Sequence, residues 1–160
     1  MEDLYVIKIG GETINSEDSL KACLKAISTS GKKVILVHGG GKKVTELAQK
    51  LFIPQQMVEG RRITSLETLE LCTMVYAGLI NKNIVAGLSA KKHVAIGLSG
   101  ADLNCIVSKK RDASVINYGF VGDIVKVDEM VFENFITQNI IPVVNSISIS
   151  EDAELLNTNA

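Results

Sequence analysis

Apolar and polar residues alternate along this chain in two different patterns. Short, continuous apolar runs predict buried strands at 4–9, 34–38, 94–98 and 140–147. Between them, apolar residues recur every three or four positions and predict helices at 16–31, 41–53, 64–87 and 128–139. Chains that alternate strand and helix form parallel strands joined by right-handed crossovers. We therefore expect an α/β fold, a three-layer αβα sandwich around a mainly parallel central sheet.

Residues 105–127 follow a third pattern, because apolar and polar residues alternate there with a period of two. Asn117, Gly119 and Gly122 interrupt the alternation, so this segment predicts a β-hairpin beside the parallel sheet. Two helix starts are also readable. Thr64 and Glu67 have the spacing of a capping box, and Asp128 is a typical N-cap residue.

Two of the predicted strands run directly into glycines. The strand at 4–9 is followed by Gly10 and Gly11, and the strand at 34–38 is followed by glycines at 39–41. A strand that enters glycines and then a helix lets backbone N–H groups converge on an anion, because no Cβ blocks its approach. Two such turns, one with Lys8 just before it, predict a protein that binds phosphate groups.

Neither common nucleotide motif explains these turns. A Walker P-loop that ended at Gly41-Lys42 would need glycine at position 36, where the chain has Leu36. A dinucleotide-binding fingerprint would need glycine at position 44, where the chain has Val44. The phosphate chemistry must therefore belong to another class.

Composition and charge exclude several classes of function. The net charge is −1, with 17 basic and 18 acidic residues, and this balance argues against nucleic-acid and membrane-surface binding. The three cysteines form no C-x-x-C pair and the chain has two histidines, so no metal site is indicated. The acidic start Met1-Glu2-Asp3 is unlike a signal peptide, and no apolar run approaches the roughly 20 residues of a membrane span. We expect a cytoplasmic protein with free thiols.

Four motifs, in order, resemble those of the amino acid kinase family. They are Lys8-Ile9-Gly10-Gly11, Val37-His38-Gly39-Gly40-Gly41, Gly60-Arg61-Arg62-Ile63-Thr64 and Leu156-Asn157-Thr158-Asn159-Ala160. The resemblance extends over nearly the whole chain through Gly97-Leu98-Ser99-Gly100 and Gly119-Phe120-Val121-Gly122. It implies the fold of that family and phosphoryl transfer from MgATP. It is strongest for the members that phosphorylate the side-chain carboxylate of N-acetyl-L-glutamate, the second step of arginine biosynthesis.

The implied reaction fits the residues that the chain offers. A glutamate side chain is ionised at neutral pH, so the nucleophile needs no general base. Catalysis must then come from alignment of two anions and from neutralisation of their charge. The resemblance implies a catalytic role for Lys8, phosphate binding by Gly10 and Gly11, and substrate binding by Gly40, Gly41, Arg62 and Asn157. Arg62 would hold the α-carboxylate in a two-pronged geometry that lysine cannot reproduce.

The resemblance also implies an organisation. Residues 1–160 correspond to an N-terminal domain that binds the acyl amino acid and forms a homodimer, and the family's C-terminal ATP-binding domain is absent from this chain. The chain alone is then expected to be inactive, and the dimer to be insensitive to arginine. Because the sequence near Ser146 differs from the family pattern, N-succinylglutamate remains an alternative substrate. Another kinase of the family, or a non-catalytic acyl-amino-acid-binding module, is also open.

Two residues within the motifs are expected to have simpler roles. His38, next to the glycines, is predicted to be a structural, hydrogen-bonded histidine rather than a catalytic group. Arg61 is predicted to be solvated beside the ligand-binding Arg62.

Overall fold

The computed structural model describes residues 3–58 and 60–160, so Met1 and Glu2, on which the absence of a signal peptide was predicted, lie outside the described residues. The strands are β1 (Leu4–Ile9), β2 (Lys33–His38), β3 (Gln56–Val58), β4 (Arg61–Ile63), β5 (Ala95–Leu98), β6 (Ile106–Lys110), β7 (Gly122–Val127), β8 (Ile141–Asn145), β9 (Ile147–Ile149) and β10 (Leu155–Asn157). The helices are α1 (Gly11–Asn15), α2 (Glu17–Thr29), α3 (Gly41–Lys50), α4 (Leu66–Thr73), a π-helical segment (Met74–Ile80), α5 (Asn81–Ser89) and α6 (Glu129–Thr137), with a 3-10 turn at Asp102–Asn104.

Four parallel strands form the central sheet, in the order β1-β2-β8-β5. Helices α2, α3, α4 and α5 pack on one face around Leu36 and Val143, and α6 packs on the other face against Leu98 and Val144. The predicted three-layer α/β fold with a mainly parallel sheet is confirmed. Ile9 pairs with His38 in the sheet register, so the two strands that precede the glycines end side by side.

A second sheet has the order β10-β9-β6-β7. The predicted hairpin is confirmed as the antiparallel pair β6 and β7. The predicted strand at 140–147 is wrong in its extent, because the chain leaves the central sheet at Ser146 and enters the second sheet as β9. The Ser146 carbonyl accepts hydrogen bonds from the backbone and the hydroxyl of Thr158, at 2.8 and 3.0 Å. At Ser146, these hydrogen bonds to Thr158 replace the backbone hydrogen bonds between strands of the central sheet.

The burial of strand β1 also differs from the prediction. It was expected to be buried, but Val6 is 67% exposed, Leu4 is 48% exposed, and only Ile9 is buried. Within the described residues β1 pairs with β2 alone, so it lies at the edge of the central sheet. An apolar sequence run does not distinguish an edge strand from a central one, because that difference depends on neighbours distant in sequence.

The segment Leu66–Ser89 is one continuous helical element, and it continues past Gly87, where the predicted helix ended. By length and composition alone it could cross a membrane. Within the fold it is a core helix, since Leu69, Cys72, Ile84 and Leu88 are buried against the central sheet.

The cap of this helix also differs from the prediction. Ser65 is the N-cap residue, and its hydroxyl accepts the backbone N–H of Thr68 at 3.3 Å. Thr64 is fully buried instead and accepts a hydrogen bond from the Asn157 side chain. The predicted cap Asp128 is confirmed, since its side chain accepts the backbone N–H of Met130. Ser16 caps α2 in the same way and accepts the backbone N–H of Ser19.

Replacement of Ser65 by alanine removes the cap and is expected to lower the free energy of unfolding by about 1 kcal/mol. Urea denaturation of the chain measures this change. Ser19→Ala is the matched control, because Ser19 is exposed in the first turn of α2 and caps no helix. A Ser65→Ala change no larger than that of the control would contradict the assigned cap.

Candidate active site

Two glycine turns meet at the carboxyl edge of the central sheet. Strand β1 leads through Gly10 into α1, and β2 leads through residues 39–40 into α3, which begins at Gly41. Parallel neighbours end at the same edge of a sheet, and this is where α/β folds bind their ligands. The ten-residue helix α3 also directs its electropositive amino end at this edge.

The turn before α3 requires glycine at position 40. Gly40 has φ +149°, a backbone conformation that side chains rarely adopt. A Cβ at this position would collide with Ile80 Cδ1 and lie 3.3 Å from the Tyr76 ring. The turn therefore rests directly on the π-helical segment, with no room for a side chain between them.

The edge opens into a cavity of about 450 Å³. Six of the seven predicted site residues line it: Lys8, Gly11, Gly40, Gly41, Arg62 and Asn157. Gly10 does not line the cavity; it is the residue that precedes the first turn of α1. Lys8 is exposed at the edge strand and borders the cavity. Arg61 is exposed, as predicted, and it also borders the cavity.

Arg62 is held by three hydrogen bonds. Its Nη2 donates to the Gly41 carbonyl at 3.0 Å and to the Thr45 hydroxyl at 2.9 Å, and its Nη1 donates to the Gln55 side chain. Gln55 in turn donates to Thr68 Oγ1 at 3.0 Å, in the first turn of α4. The guanidinium is thereby fixed between the glycine turn and the long helix.

Sequence reasoning missed the residues that hold Arg62. Thr45 lies one helical turn after Gly41, and that spacing was a usable signal because such residues share a helix face. Gln55 had no signal, since it lies just before β3, a strand of three residues that carries no readable alternation. Tyr76, in the π-helical segment, also lines the cavity, and no sequence motif indicated it.

Asn157 reaches the cavity from the second sheet. Its backbone N–H donates to the Phe120 carbonyl at 2.9 Å, and its side-chain amide donates to Thr64 Oγ1 at 3.2 Å. Both partners are distant in sequence, so the position of Asn157 depends on the contact between the second sheet and the start of α4.

The charges around the cavity are positive. Lys8, Arg61 and Arg62 line it, and no Asp or Glu side chain does so among residues 3–58 and 60–160. Two buried groups near Arg62, the Cys72 thiol and the Tyr76 hydroxyl, are neutral, because burial raises the pKa of each. Such a site favours anionic ligands. Within the same described ranges, no three His, Cys, Asp or Glu side chains are grouped to hold a metal ion.

Comparison with known proteins gives a consistent result. Residues 3–160 match the sequence profile of the amino acid kinase family. The chain is 48% identical over 161 residues to an acetylglutamate kinase from Cytophaga hutchinsonii, covering 100% of this chain and 61% of that protein. It is 46% identical over 160 residues to an acetylglutamate kinase from Parabacteroides distasonis, covering 100% of this chain and 63% of that protein. The chain thus spans about three fifths of the length of these relatives.

Solved structures share the fold. The protein smu.665 from Streptococcus mutans superposes with a TM-score of 0.86 at 29% identity, covering 100% of this chain and 65% of that one. N-acetylglutamate synthase from Neisseria gonorrhoeae, in a complex with coenzyme A and N-acetyl-glutamate, superposes with a TM-score of 0.81. At 18% identity, with 98% of this chain and 36% of that one covered, the second likeness concerns the fold alone.

Replacement of Gly40 by alanine is expected to lower the free energy of unfolding by roughly 2 kcal/mol or more, since it adds backbone strain and a collision with Ile80. Chemical denaturation measures the loss. Gly39→Ala is the matched control, because a Cβ there meets only Ala160 at an ordinary 3.7 Å. Equal losses in the two variants would contradict the close packing described for Gly40.

Proposed function

This chain belongs to the amino acid kinase family, and from that membership we propose that it forms the substrate-binding part of a kinase for N-acetyl-L-glutamate. The observation that carries the proposal is the single cavity where Lys8, the turn at 39–41, Arg62 and Asn157 meet. The names of the curated relatives support the choice of substrate. Residues 1–160 would then be the acyl-amino-acid-binding and dimerisation domain of a longer protein whose remaining part binds ATP.

The proposed reaction is an in-line phosphoryl transfer. An oxygen of the ionised side-chain carboxylate bonds to the γ-phosphorus of ATP, the bond from that phosphorus to the β–γ bridging oxygen breaks, and ADP leaves. No proton is removed from the nucleophile, because the carboxylate is already ionised at neutral pH. Mg²⁺ arrives with the nucleotide as part of the co-substrate and neutralises phosphate charge.

The residues of the cavity would have different roles in this reaction. Lys8 would neutralise the transferring phosphoryl group, and N–H groups of Gly11, Gly40 and Gly41 would approach its oxygens, with Gly10 supporting the first turn. Arg62 would bind the α-carboxylate of the amino acid, and Asn157 would hydrogen-bond the same substrate from the second sheet. Fixed groups of this kind act by position and charge, without acid–base chemistry.

The proposal extends to a second copy of the chain as partner. Leu66 and Met74 are 52% and 60% exposed, and with Phe120 and Leu155 they line an apolar groove along α4. A groove of this kind supports a homodimer interface. The three free cysteines support a reducing compartment such as the cytosol.

Arg62→Lys is expected to weaken the binding of N-acetyl-L-glutamate by roughly 10- to 100-fold, because a single ammonium replaces a two-pronged, charge-assisted contact. Isothermal titration calorimetry, on the chain and on the whole protein that contains it, measures this loss. Arg61→Lys is the matched control and should change affinity less than twofold.

Parallel titrations with N-succinyl-L-glutamate and L-glutamate identify the acyl group. Tighter binding of the succinyl compound would replace the acetyl assignment with that alternative. A folded whole protein that binds none of these ligands would contradict the proposed function.

In the whole protein, Lys8→Met is expected to lower kcat at least 100-fold while the KM for the acylated substrate changes less than about threefold. The lysine would interact mainly with charge that develops on the transferring phosphoryl group. A coupled assay of ADP release measures both constants. Lys42→Met is the control, because Lys42 is exposed just after the turn at 39–41 and does not line the cavity. Ligand binding without turnover in the unaltered whole protein would favour the non-catalytic module instead.

A further inference from the structure

His38 is a fully buried histidine at the end of β2. Its Nδ1 lies 2.9 Å from the Gly39 carbonyl oxygen, and its Nε2 lies 3.0 Å from Asn81 Nδ2 at the start of α5. Burial lowers the pKa of His38, so the ring is neutral at neutral pH. A neutral imidazole donates one hydrogen bond and accepts one, so these two neighbours decide which nitrogen carries the proton.

The orientation of the Asn81 amide is determined by two other partners. Asn81 Nδ2 lies 2.8 Å from the Val143 carbonyl oxygen, which only accepts hydrogen bonds. Asn81 Oδ1 lies 3.2 Å from Lys82 Nζ, which only donates them. The amide therefore presents its NH₂ group to His38, and Nε2 of the ring must accept.

The contact at Nδ1, on the other side of the ring, requires the same tautomer. The Gly39 carbonyl only accepts, so Nδ1 must carry the proton and donate to it. Two independent neighbours thus specify one tautomer. Space for Asn81 depends on Gly97 in β5, where a Cβ would collide with the amide oxygen. The ring is therefore a rigid bridge from α5 to the glycine turn.

The hydrogen bond from His38 fixes the orientation of the Gly39–Gly40 peptide. In a planar trans peptide, the carbonyl of Gly39 and the N–H of Gly40 point in opposite directions. Because the carbonyl is turned toward the buried His38 ring, the N–H is turned away from it. Gly40 lines the same cavity as Gly41 and Lys8.

We propose that His38 is a positioning residue for phosphoryl transfer: in the tautomer imposed by Asn81, it holds the Gly39–Gly40 peptide so that the Gly40 N–H faces the transferring group. This inference rests on the proposed function. In the opposite tautomer, lone pairs of Nδ1 and of the Gly39 carbonyl would face each other and repel. The peptide would rotate, and a hydrogen-bond donor directed at the phosphoryl group would be lost.

The tautomer itself is measured first, without any catalysis. Long-range ¹H–¹⁵N spectra of the labelled chain at pH 8 distinguish a proton on Nδ1 from one on Nε2. The chain has two histidines, and His93 serves as the internal comparison, since its Nε2 lies 3.2 Å from the Ser28 carbonyl and must donate. We expect Nδ1–H in His38 and Nε2–H in His93. A proton on Nε2 of His38 would overturn the proposal.

A pair of substitutions tests the effect on the reaction in the whole protein. His38→Asn keeps an N–H near the Nδ1 position, whereas His38→Gln places its amide near Nε2 and leaves the Gly39 carbonyl without that donor. We expect kcat to fall by roughly 100- to 1000-fold in His38→Gln and by less than about tenfold in His38→Asn. The KM for the acylated substrate should stay within about threefold in both. Equal kcat values in two folded variants would overturn the proposal.

Asn81→Asp is a second route that leaves His38 in place. The carboxylate accepts where the amide donated, so Nε2 of His38 should bind a proton. If Nδ1 loses its proton, kcat should fall as in His38→Gln; if the ring becomes an imidazolium that keeps Nδ1–H, kcat should fall by less than about tenfold. An unchanged kcat with the proton moved would overturn the proposal. His93→Gln is the control and should leave kcat within twofold. If the unaltered whole protein transfers no phosphoryl group, the proposed function fails, and the tautomer still decides whether the His38 bridge exists.

Discussion

The close packing of the Gly40 backbone on Tyr76 and Ile80 is the contact on which the rest of the site depends. It places the end of β2 directly against the middle of the Leu66–Ser89 helix. The contact falls in a π-helical segment, where hydrogen bonds span five residues and residues four or five apart share one face. Tyr76, Ile80 and Asn81 therefore all face the same turn. A regular α-helix would direct one of them elsewhere.

Charge is divided between two levels of the site. Lys8, Arg61 and Arg62 stand at the open rim, where water screens them until a ligand binds. Beneath them, burial favours the neutral forms of His38, Cys72 and Tyr76, because a charge without a partner is costly away from water. The field within the cavity thus comes from the rim cations and from oriented peptide groups, and both attract anions.

Local sequence patterns predicted some features well and others poorly, for physical reasons. The glycines after β1 and β2 were readable because a strand that enters a tight turn and a helix is specified by neighbours in sequence. The exposure of Val6 was not readable, since it depends on β1 being an edge strand. Ser65 and Thr64 are adjacent and chemically alike, so only the path of the chain decided which one caps α4.

The sequence by itself determined the α/β alternation and the two glycine turns, because these follow from periodicity and from short motifs. The same motifs singled out Lys8 and Arg62, which both line the cavity. Tertiary structure alone decided that Gln55 and Thr45 hold Arg62, that Asn157 reaches the cavity through Thr64, and that Asn81 sets the tautomer of His38. Most of these contacts join residues far apart in the chain. No local pattern encodes them, since they exist only once the helices have packed on the sheet.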